Sequence, residues 1–347
     1  MKNIKPKYSK NEVNKAGRIL AASNVDDCEY SWAFEVMNNW RACHSYPLNT
    51  FQANLRKKIK TSGFKKAMVV QRLKRVPSII GKLNRFSSMN LARMQDIGGL
   101  RAIVNTVNQV HILNKIFKES KFKHELIREY DYIKSPKTSG YRSIHLVYKY
   151  YNSRAPEFND LQLELQIRTK LQHSWATAVE TMGTFLDHSL KSSEGPEQWL
   201  KFFSMTGSAF ASLEKSPLLY EYKELSEETI IKELIQREKH LNLIDRLKTF
   251  GSTVQAIEKY HKNYKYYLLL LNVKEGSVRF EGFHAGQLDL ATEKYMHYEK
   301  RLGDQIDEQI VLVSGESFKS LKRAYPNYFL DTHEFIEKLR KLFIKYG

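Results

Sequence analysis

Two carboxylates bound the chemistry this chain can attempt. Asp96 stands in Asp96-Ile-Gly98-Gly99-Leu-Arg101, just ahead of a buried strand, and the glycines there let the backbone approach a ligand closely. Glu164 stands in Leu161-Gln-Leu-Glu-Leu-Gln-Ile-Arg168. Period-two alternation puts Leu161, Leu163, Leu165 and Ile167 on one face of that strand and Gln162, Glu164, Gln166 and Arg168 on the other. Such a second face is either solvated or lines a site. Tyr141, Ser143 and His145 likewise share a face, opposite Ile144, Leu146 and Tyr148, and His145 reads either as a satisfied structural histidine or as a member of the same site. The loop before them, Lys134-Ser-Pro-Lys137-Thr-Ser-Gly140-Tyr141, is basic and ends on an aromatic, which suits stacking on a base beside a phosphate. Acids on neighbouring strands with cations opposite meet the needs of metal-assisted phosphoryl transfer. Hard oxygens hold Mg²⁺, the metal bridges substrate phosphates, and Arg or Lys stabilises the transferring group.

The cations are present in unusual isolation. Residues 36–95 contain thirteen Lys and Arg and no Asp or Glu. The plain reading is a solvated face balanced by distant acids. The functional one is a surface that neutralises several phosphates. Within the window, Arg72-x-Lys74-x-x-x-Ser78-Ile79-x-x-Lys82 opens a helix after Pro77, so cations converge on a helix N-terminus that itself favours anions. No Gly-x-x-x-x-Gly-Lys-Ser/Thr occurs, which excludes a P-loop.

The elements that must position these groups are legible in outline. Residues 9–60 read as helical, starting from a Ser9/Glu12 capping box and broken at Tyr46-Pro47. Strands are predicted over 100–106, 125–133, 142–150 and 161–169, with helices over 108–119 and 170–187, an α/β or α+β layer arrangement. A long amphipathic stretch over 226–262, kinked at Gly251-Ser252, reads as connecting helices. After it, strands over 266–273 and 277–283 turn at Lys274-Glu-Gly276. A helix over 287–301, a strand over 309–314 and helices over 317–323 and 331–346 complete a ββαβα unit. Asp187-His188 is an isolated pair that reads as surface or capping rather than metal-binding.

At 347 residues the chain suits about two domains. Gly 16 and Pro 8 exclude collagen-like and low-complexity classes. Lys+Arg 56 against Asp+Glu 38 gives +18, which asks for a polyanionic partner. Cys28 and Cys43 are too few for a disulfide framework or a four-cysteine zinc site, so a reducing cytoplasm is the expected setting. The longest aliphatic run, Leu268–Leu271, is far short of a membrane span, and Met1–Lys10 lacks the apolar stretch of a signal peptide.

Five blocks together resemble the RelA/SpoT-type pyrophosphokinase, or alarmone synthetase, domain. They are Arg72-x-Lys74-x-x-x-Ser78-Ile-x-x-Lys82, Asp96-Ile-Gly-Gly-Leu-Arg101, Gly140-Tyr-Arg-Ser-Ile-His145, Glu164-Leu-Gln-Ile-Arg-Thr169, and Trp175-Ala followed by Glu180. The resemblance implies a nucleotidyltransferase-like mixed sheet flanked by helices. It also implies transfer of the β,γ-pyrophosphate of ATP to a ribose 3′-hydroxyl. Carried over by motif, Arg72, Lys74, Ser78 and Lys82 bind the phosphates of ATP, and Asp96 holds Mg²⁺. Tyr141 stacks on the acceptor base, and Glu164 activates the 3′-hydroxyl or shares the metal. Gln166, Arg168 and His145 position the acceptor, and Arg101 joins the catalytic set. Ser139 stands where many guanosine-using members carry Asn, and Glu180-Thr181 replaces the usual Glu-His pair.

Trp40-Arg-Ala-Cys-His44-Ser-Tyr-Pro47-Leu-Asn-Thr-Phe51-Gln is similar to the toxic small alarmone synthetases of the CapRel group. That likeness implies pyrophosphorylation of the 3′-terminal adenosine of the tRNA CCA end, which stops translation, in a toxin–antitoxin fusion serving phage defence. The expected division is a toxin domain over 1–225, connecting helices over 226–264 and a regulatory domain over 265–347. In that likeness Tyr325 and Tyr328 of Tyr325-Pro-Asn-Tyr328 would close the ATP site; the plain alternative is that they cap and pack the last helix. A phage protein binding the last domain would open it. A monomer with no membrane partner is expected. The competing readings are a (p)ppGpp synthetase using GDP or GTP, and a catalytically dead RNA-binding module.

Overall fold

The structure, a computed structural model, describes residues 4–186, 190–252, 264–272, 277–302, 308–314 and 332–346. Three helices open it: α1 (Lys10–Leu20), α2 (Asp27–Cys43) and α3 (Ser45–Thr61). The capping box forms as its spacing predicts, with the Glu12 carboxylate accepting from Ser9 N at 2.8 Å and Ser9 Oγ accepting from Glu12 N at 3.3 Å. The helical run breaks at His44 rather than at Pro47, which falls in the first turn of α3, where a missing N–H loses no helical bond.

Next come β1 (Met68–Leu73), α4 (Val76–Arg85), β2 (Gly98–Val104), α5 (Val107–Lys118), β3 (Glu125–Asp131), β4 (Ile144–Lys149), β5 (Gln162–Thr169) and α6 (Lys170–Phe185). All but β1 match an expected element to within about two residues at most ends. β1 lies inside the cationic window, and Gln71 and Arg72 interrupt its apolar run, so only pairing with β2 reveals it as a strand. The rest of the chain is α7 (Glu197–Leu213), α8 (Glu227–Leu241), α9 (Leu243–Ser252), β6 (Tyr266–Asn272), β7 (Ser277–Phe283), α10 (Leu288–Leu302), β8 (Glu308–Ser314) and α11 (His333–Tyr346). A break between the connecting helices is at Asn242, which takes a left-handed φ of 49°; Gly251-Ser252, where the kink is expected, is the end of the described part of α9. Asp187-His188, the 274–276 turn, the 317–323 helix, Tyr325 and Tyr328 lie outside the described residues.

The strands form one sheet in the order β3-β4-β5-β2-β1-β8-β6-β7. β2 and β5 run parallel and the other pairs antiparallel. Leu100, Ala102, Leu146, Leu163, Leu165 and Ile167 turn one face into a core shared with α1 to α5. A second core gathers Trp175, Phe203, Phe210 and Leu234 from α6, α7 and α8. The elements expected as a ββαβα unit follow in order among the described residues, and they are bound to the rest. β8 pairs with β1 through Gln71↔Ser314 and Arg72↔Val313, so the sheet is continuous. α11 crosses back and buries Phe335, Ile336, Leu339 and Leu342 in the second core.

Candidate active site

Strand register assembles the site. Arg72, Gly99, Glu164 and Val147 form one row across β1, β2, β5 and β4, and Val70, Arg101, Gln166, His145 and Tyr130 form the next. Directly paired residues project to the same face. Arg72, Arg101, Glu164, Gln166 and His145 therefore stand together on the face opposite the large core. Lys74 follows β1, and its N–H donates to Ile97 O at 2.9 Å, which brings the end of β1 beside Asp96.

Asp96 is clamped between two ammonium groups. Lys74 Nζ donates to Oδ2 at 2.7 Å and Lys82 Nζ to Oδ1 at 2.9 Å. Burial works to raise the Asp96 carboxyl, but the two lysines outweigh it and hold the group well below the usual carboxylate range. Burial pushes the Lys74 ammonium down, against the pull of Asp96. The first turn of α4 adds Pro77 and Ser78 to the same wall, with Lys82 one turn further along.

Behind this wall runs a second polar chain. Tyr141 Oη lies 2.8 Å from His145 Nε2, His145 Nδ1 lies 2.8 Å from Glu164 Oε1, and Gln166 Nε2 donates to Glu164 Oε2 at 2.7 Å. Burial opposes charge on Glu164, but His145 outweighs it and the carboxyl is lowered; the nearby charge of Asp96 pushes the other way. The two carboxylates thus feel one another. Burial likewise opposes charge on His145 and is outweighed by Tyr141 and Glu164. Glu180 on α6 pairs with Lys191 at 2.6 Å and faces Arg101 and Arg72; these cations overcome burial and keep it anionic.

A cavity of about 1200 Å³ has Arg72, Lys74, Ser78, Lys82, Asp96 and Glu180 on its wall, while Glu164, Gln166, His145 and Arg101 are not among its lining residues. A cavity of about 1170 Å³ between α2, α4 and α10 is lined by Phe34, Ile80 and Met296 with Lys5, Lys7, Glu35, Glu293 and Lys300, and does not include Asp96 or its lysines. The structure corrects two expected placements. Tyr141 is 2 % exposed, edge-on to His145, with Lys191 Nζ 4.8 Å from its ring centre, so its face is not open to a base. The aromatics on the cavity wall are Phe86 and Tyr132. Arg168 is also buried, bonded to His173, and takes no part in the wall.

Among the described residues no group of three or more His, Cys, Asp or Glu is placed to hold a metal. A Mg²⁺ ion needs only one or two carboxylates when a polyphosphate supplies the remaining oxygens. Asp96 and Glu164, both anionic and on one side of the sheet, fit that requirement.

Sequence reasoning missed Lys191, Tyr132 and Gly207. Gly207 of α7 packs on Gly140, and a Cβ added there would stand 2.8 Å from Gly140 O. Gly140 itself has φ +92°, a conformation glycine adopts without strain. Arg142 fastens the same loop by donating to Gly140 O at 2.8 Å and to Gly207 O and Pro217 O at 2.9 Å. The small residues of Ser204-Met-Thr-Gly-Ser208 were the available signal for this close approach.

Residues 71–184 match the model of the region found in RelA / SpoT proteins. The chain is 35% identical over 125 residues to the GTP pyrophosphokinase YjbM of Bacillus subtilis (strain 168), an alignment covering 35% of this chain and 54% of that protein. It is 29% identical over 114 residues to the GTP pyrophosphokinase YwaC of the same organism, covering 30% and 52%. The chain thus spans about half the length of the curated relatives it matches. Among solved structures, small alarmone synthetase 1 from Bacillus subtilis bound to its product pppGpp aligns at 26% identity and a TM-score of 0.43, covering 50% of this chain and 89% of that one. A GTP pyrophosphokinase family protein from Streptococcus pneumoniae aligns at 24% and 0.41, covering 55% and 93%. No described helix is long and apolar enough to cross a membrane.

Proposed function

We propose that this chain is an ATP-dependent pyrophosphokinase whose acceptor is the 3′-terminal adenosine of tRNA. The observation that carries the reading is the Asp96 carboxylate held by Lys74 and Lys82 on the wall of a cation-lined cavity, inside the segment that matches RelA / SpoT proteins. The acceptor 3′-oxygen attacks the β-phosphorus of ATP. The bond from that phosphorus to the α,β-bridging oxygen breaks, and AMP leaves with the electron pair. Lys74 and Lys82 exchange their Asp96 contacts for phosphate oxygens, Arg72 joins them, and Ser78 with the first turn of α4 receives the same anion. Mg²⁺, held by Asp96 and Glu164, would neutralise charge on the polyphosphate. Glu164 suits that task better than proton removal, because a carboxylate so far below its ordinary value is a weak base. His145 and Tyr141 orient it from behind.

Acceptor choice rests on charge. A free nucleotide needs a pocket, whereas a tRNA end needs a wide basic surface, and Lys57, Lys60, Lys65, Lys66, Arg85 and Arg93 of the acid-free window are exposed, although Arg41 is buried. The named activity of YjbM and YwaC favours the second reading, transfer to GDP or GTP. The segment over 265–347 acts in our reading as the regulator of a catalytic unit over 1–225, with Tyr325 and Tyr328 closing the ATP site until a phage protein binds; the setting would be cytoplasmic.

The test is transfer of label from γ-³²P-ATP to bulk tRNA, GDP or GTP, supplied separately with Mg²⁺. It uses the full chain and the full chain carrying Tyr325→Ala with Tyr328→Ala. Label should enter tRNA, and more in the double variant. Label in GDP or GTP alone selects the second reading, and label in none rejects the activity. Asp96→Asn in the released chain should cut transfer at least about 100-fold, the scale of losing one charge-stabilising group. An unchanged rate would remove Asp96 from the site.

A further inference from the structure

We infer that the edge strand β3 is a track for a single-stranded RNA 3′ end, with Arg128, Tyr130 and Tyr132 as its contacts. The inference rests on the acceptor reading above and deepens it by naming what would distinguish an RNA end from a free nucleotide. β3 is the outer strand of the sheet, and Tyr130 pairs with His145 and Arg128 with Val147, so both project from the face that carries the site. Tyr132 continues the line past the end of β3, its N–H donating to Ser143 O at 3.0 Å. The rings of Tyr130 and Tyr132 are parallel to within 1°, with centroids 5.8 Å apart. Arg128 Nη1 donates to Tyr130 Oη at 3.3 Å, and Lys137 Nζ lies 4.7 Å from the Tyr132 ring centre.

Position along the strand gives the pair its meaning. Tyr132 is on the cavity wall, while Tyr130 and Arg128 are not. The track therefore leads outward from the cavity, over about 13 Å at the usual rise of a strand. A mononucleotide in the cavity has Tyr132 and Phe86 on its walls, whereas Tyr130 lies beyond its reach. A duplex keeps its base faces stacked inside and is met mainly at its phosphates. A single strand offers successive base faces to successive aromatics and phosphates to flanking cations, here the exposed Arg128, Lys134 and Lys137. Two aligned rings with cations on both sides, continuous with a phosphate-binding cavity, fit the unpaired 3′ end of an RNA.

The experiment is equilibrium binding, by fluorescence anisotropy, of a 5′-fluorescein single-stranded RNA of about six nucleotides ending in CCA, a length within the site size of comparable single-strand binders. The full chain carrying Tyr325→Ala with Tyr328→Ala, open at the ATP site in the reading above, is compared with the same chain bearing Tyr130→Ala, Tyr130→Phe or Arg128→Ala, and ATP binding is measured for each as the check on folding. Tyr130→Ala should weaken RNA binding at least about fivefold, the lower end of what stacking on one base contributes. Tyr130→Phe should restore it, and ATP binding should be the same in all four chains. Arg128→Ala should weaken RNA binding and reduce its salt slope by about one, as for a single phosphate contact. Should Tyr130→Ala lose ATP binding, Arg128→Ala decides. Unchanged RNA affinity in the variants that bind ATP overturns the track. If tRNA takes label equally with and without Tyr130→Ala, the track fails and the acceptor reading stands. If the chain with Tyr325→Ala and Tyr328→Ala alone ignores the RNA and labels GDP or GTP, both fail.

Discussion

His145 is caught between an acid and a phenol, and that contact has a measurable pH signature. Burial opposes the charged imidazole, but Tyr141 and Glu164 outweigh it and raise it to about 9. Burial also opposes the Tyr141 phenolate, and the charges of His145, Lys191 and Arg168 outweigh it, lowering Tyr141 to about 7. A histidine raised on folding adds stability that is fully present below its unfolded value, about 6.5, and is lost as pH climbs through the folded one. A tyrosine lowered on folding does the reverse, its contribution growing as pH rises toward about 10. In the unaltered chain the two effects overlap and offset. Tyr141→Phe removes the second and leaves Glu164 beside His145. Urea midpoints for Tyr141→Phe should therefore fall more steeply from pH 6.5 upward than those of the unaltered chain. The excess should vanish when His145→Gln is added. Parallel pH profiles for all three chains would mean that the histidine is not charged by its neighbours.

At the scale of elements, α7 decides where the Gly140-Tyr141 loop sits. Gly207 and Gly140 pack backbone on backbone, and Arg142 ties both to Pro217 O. Gly207→Ala places a methyl 2.8 Å from Gly140 O, so helix and loop must part. Overpacking of this kind destabilises by about 1–3 kcal/mol. The displacement should carry through Tyr141 to His145 and lower transfer as well. Gly81 on α4 is the contrast, because a Cβ there meets nothing within 4 Å. Gly81→Ala should stabilise the protein by up to about 1 kcal/mol through helix propensity. Thermal unfolding of the two variants checks the signs, and a neutral Gly207→Ala would show that the clamp is loose.

Across the molecule, a buried ion pair joins the C-terminal segment to the phosphate-binding one. Arg41 on α2 pairs with Glu299 on α10, and both are almost fully buried. Glu299 Oε1 also accepts from Val76 N, the first residue of α4, at 3.2 Å, and Arg41 Nη1 donates to Tyr295 Oη at 3.1 Å and to Lys74 O at 3.4 Å. The segment bearing Lys74 and Ser78 is thus fastened from behind by α10 as well as by the β8–β1 pairing. Glu299→Gln leaves the Arg41 guanidinium buried without its carboxylate, which should cost about 3–5 kcal/mol. Adding Arg41→Met should recover part of the loss, since it removes the buried charge left without its carboxylate. Urea denaturation of the single and double variants is the measurement, and a loss below about 1 kcal/mol would mean that the pair is solvated in solution.

Sequence alone determined the groups that alternation and end signals control. Period two separated Glu164, Gln166 and Arg168 from Leu163, Leu165 and Ile167, and the capping box fixed the start of α1. It also singled out Asp96, Lys74 and Lys82 as motif residues, but their ion pairs depend on β1, which only its pairing with β2 reveals. Long-range pairing was out of its reach. Nothing local says that β8 continues the sheet at Arg72, that Glu299 caps a helix more than two hundred residues earlier, or that α11 returns to the second core. Nor does a motif say which tyrosine is buried: Tyr141 and Tyr132 are both aromatics near a basic loop, and only packing against Trp175 and Lys191 hides one and leaves the other on the cavity wall. Those outcomes depend on contacts between distant segments, whose free energy exists only once the chain has closed on itself.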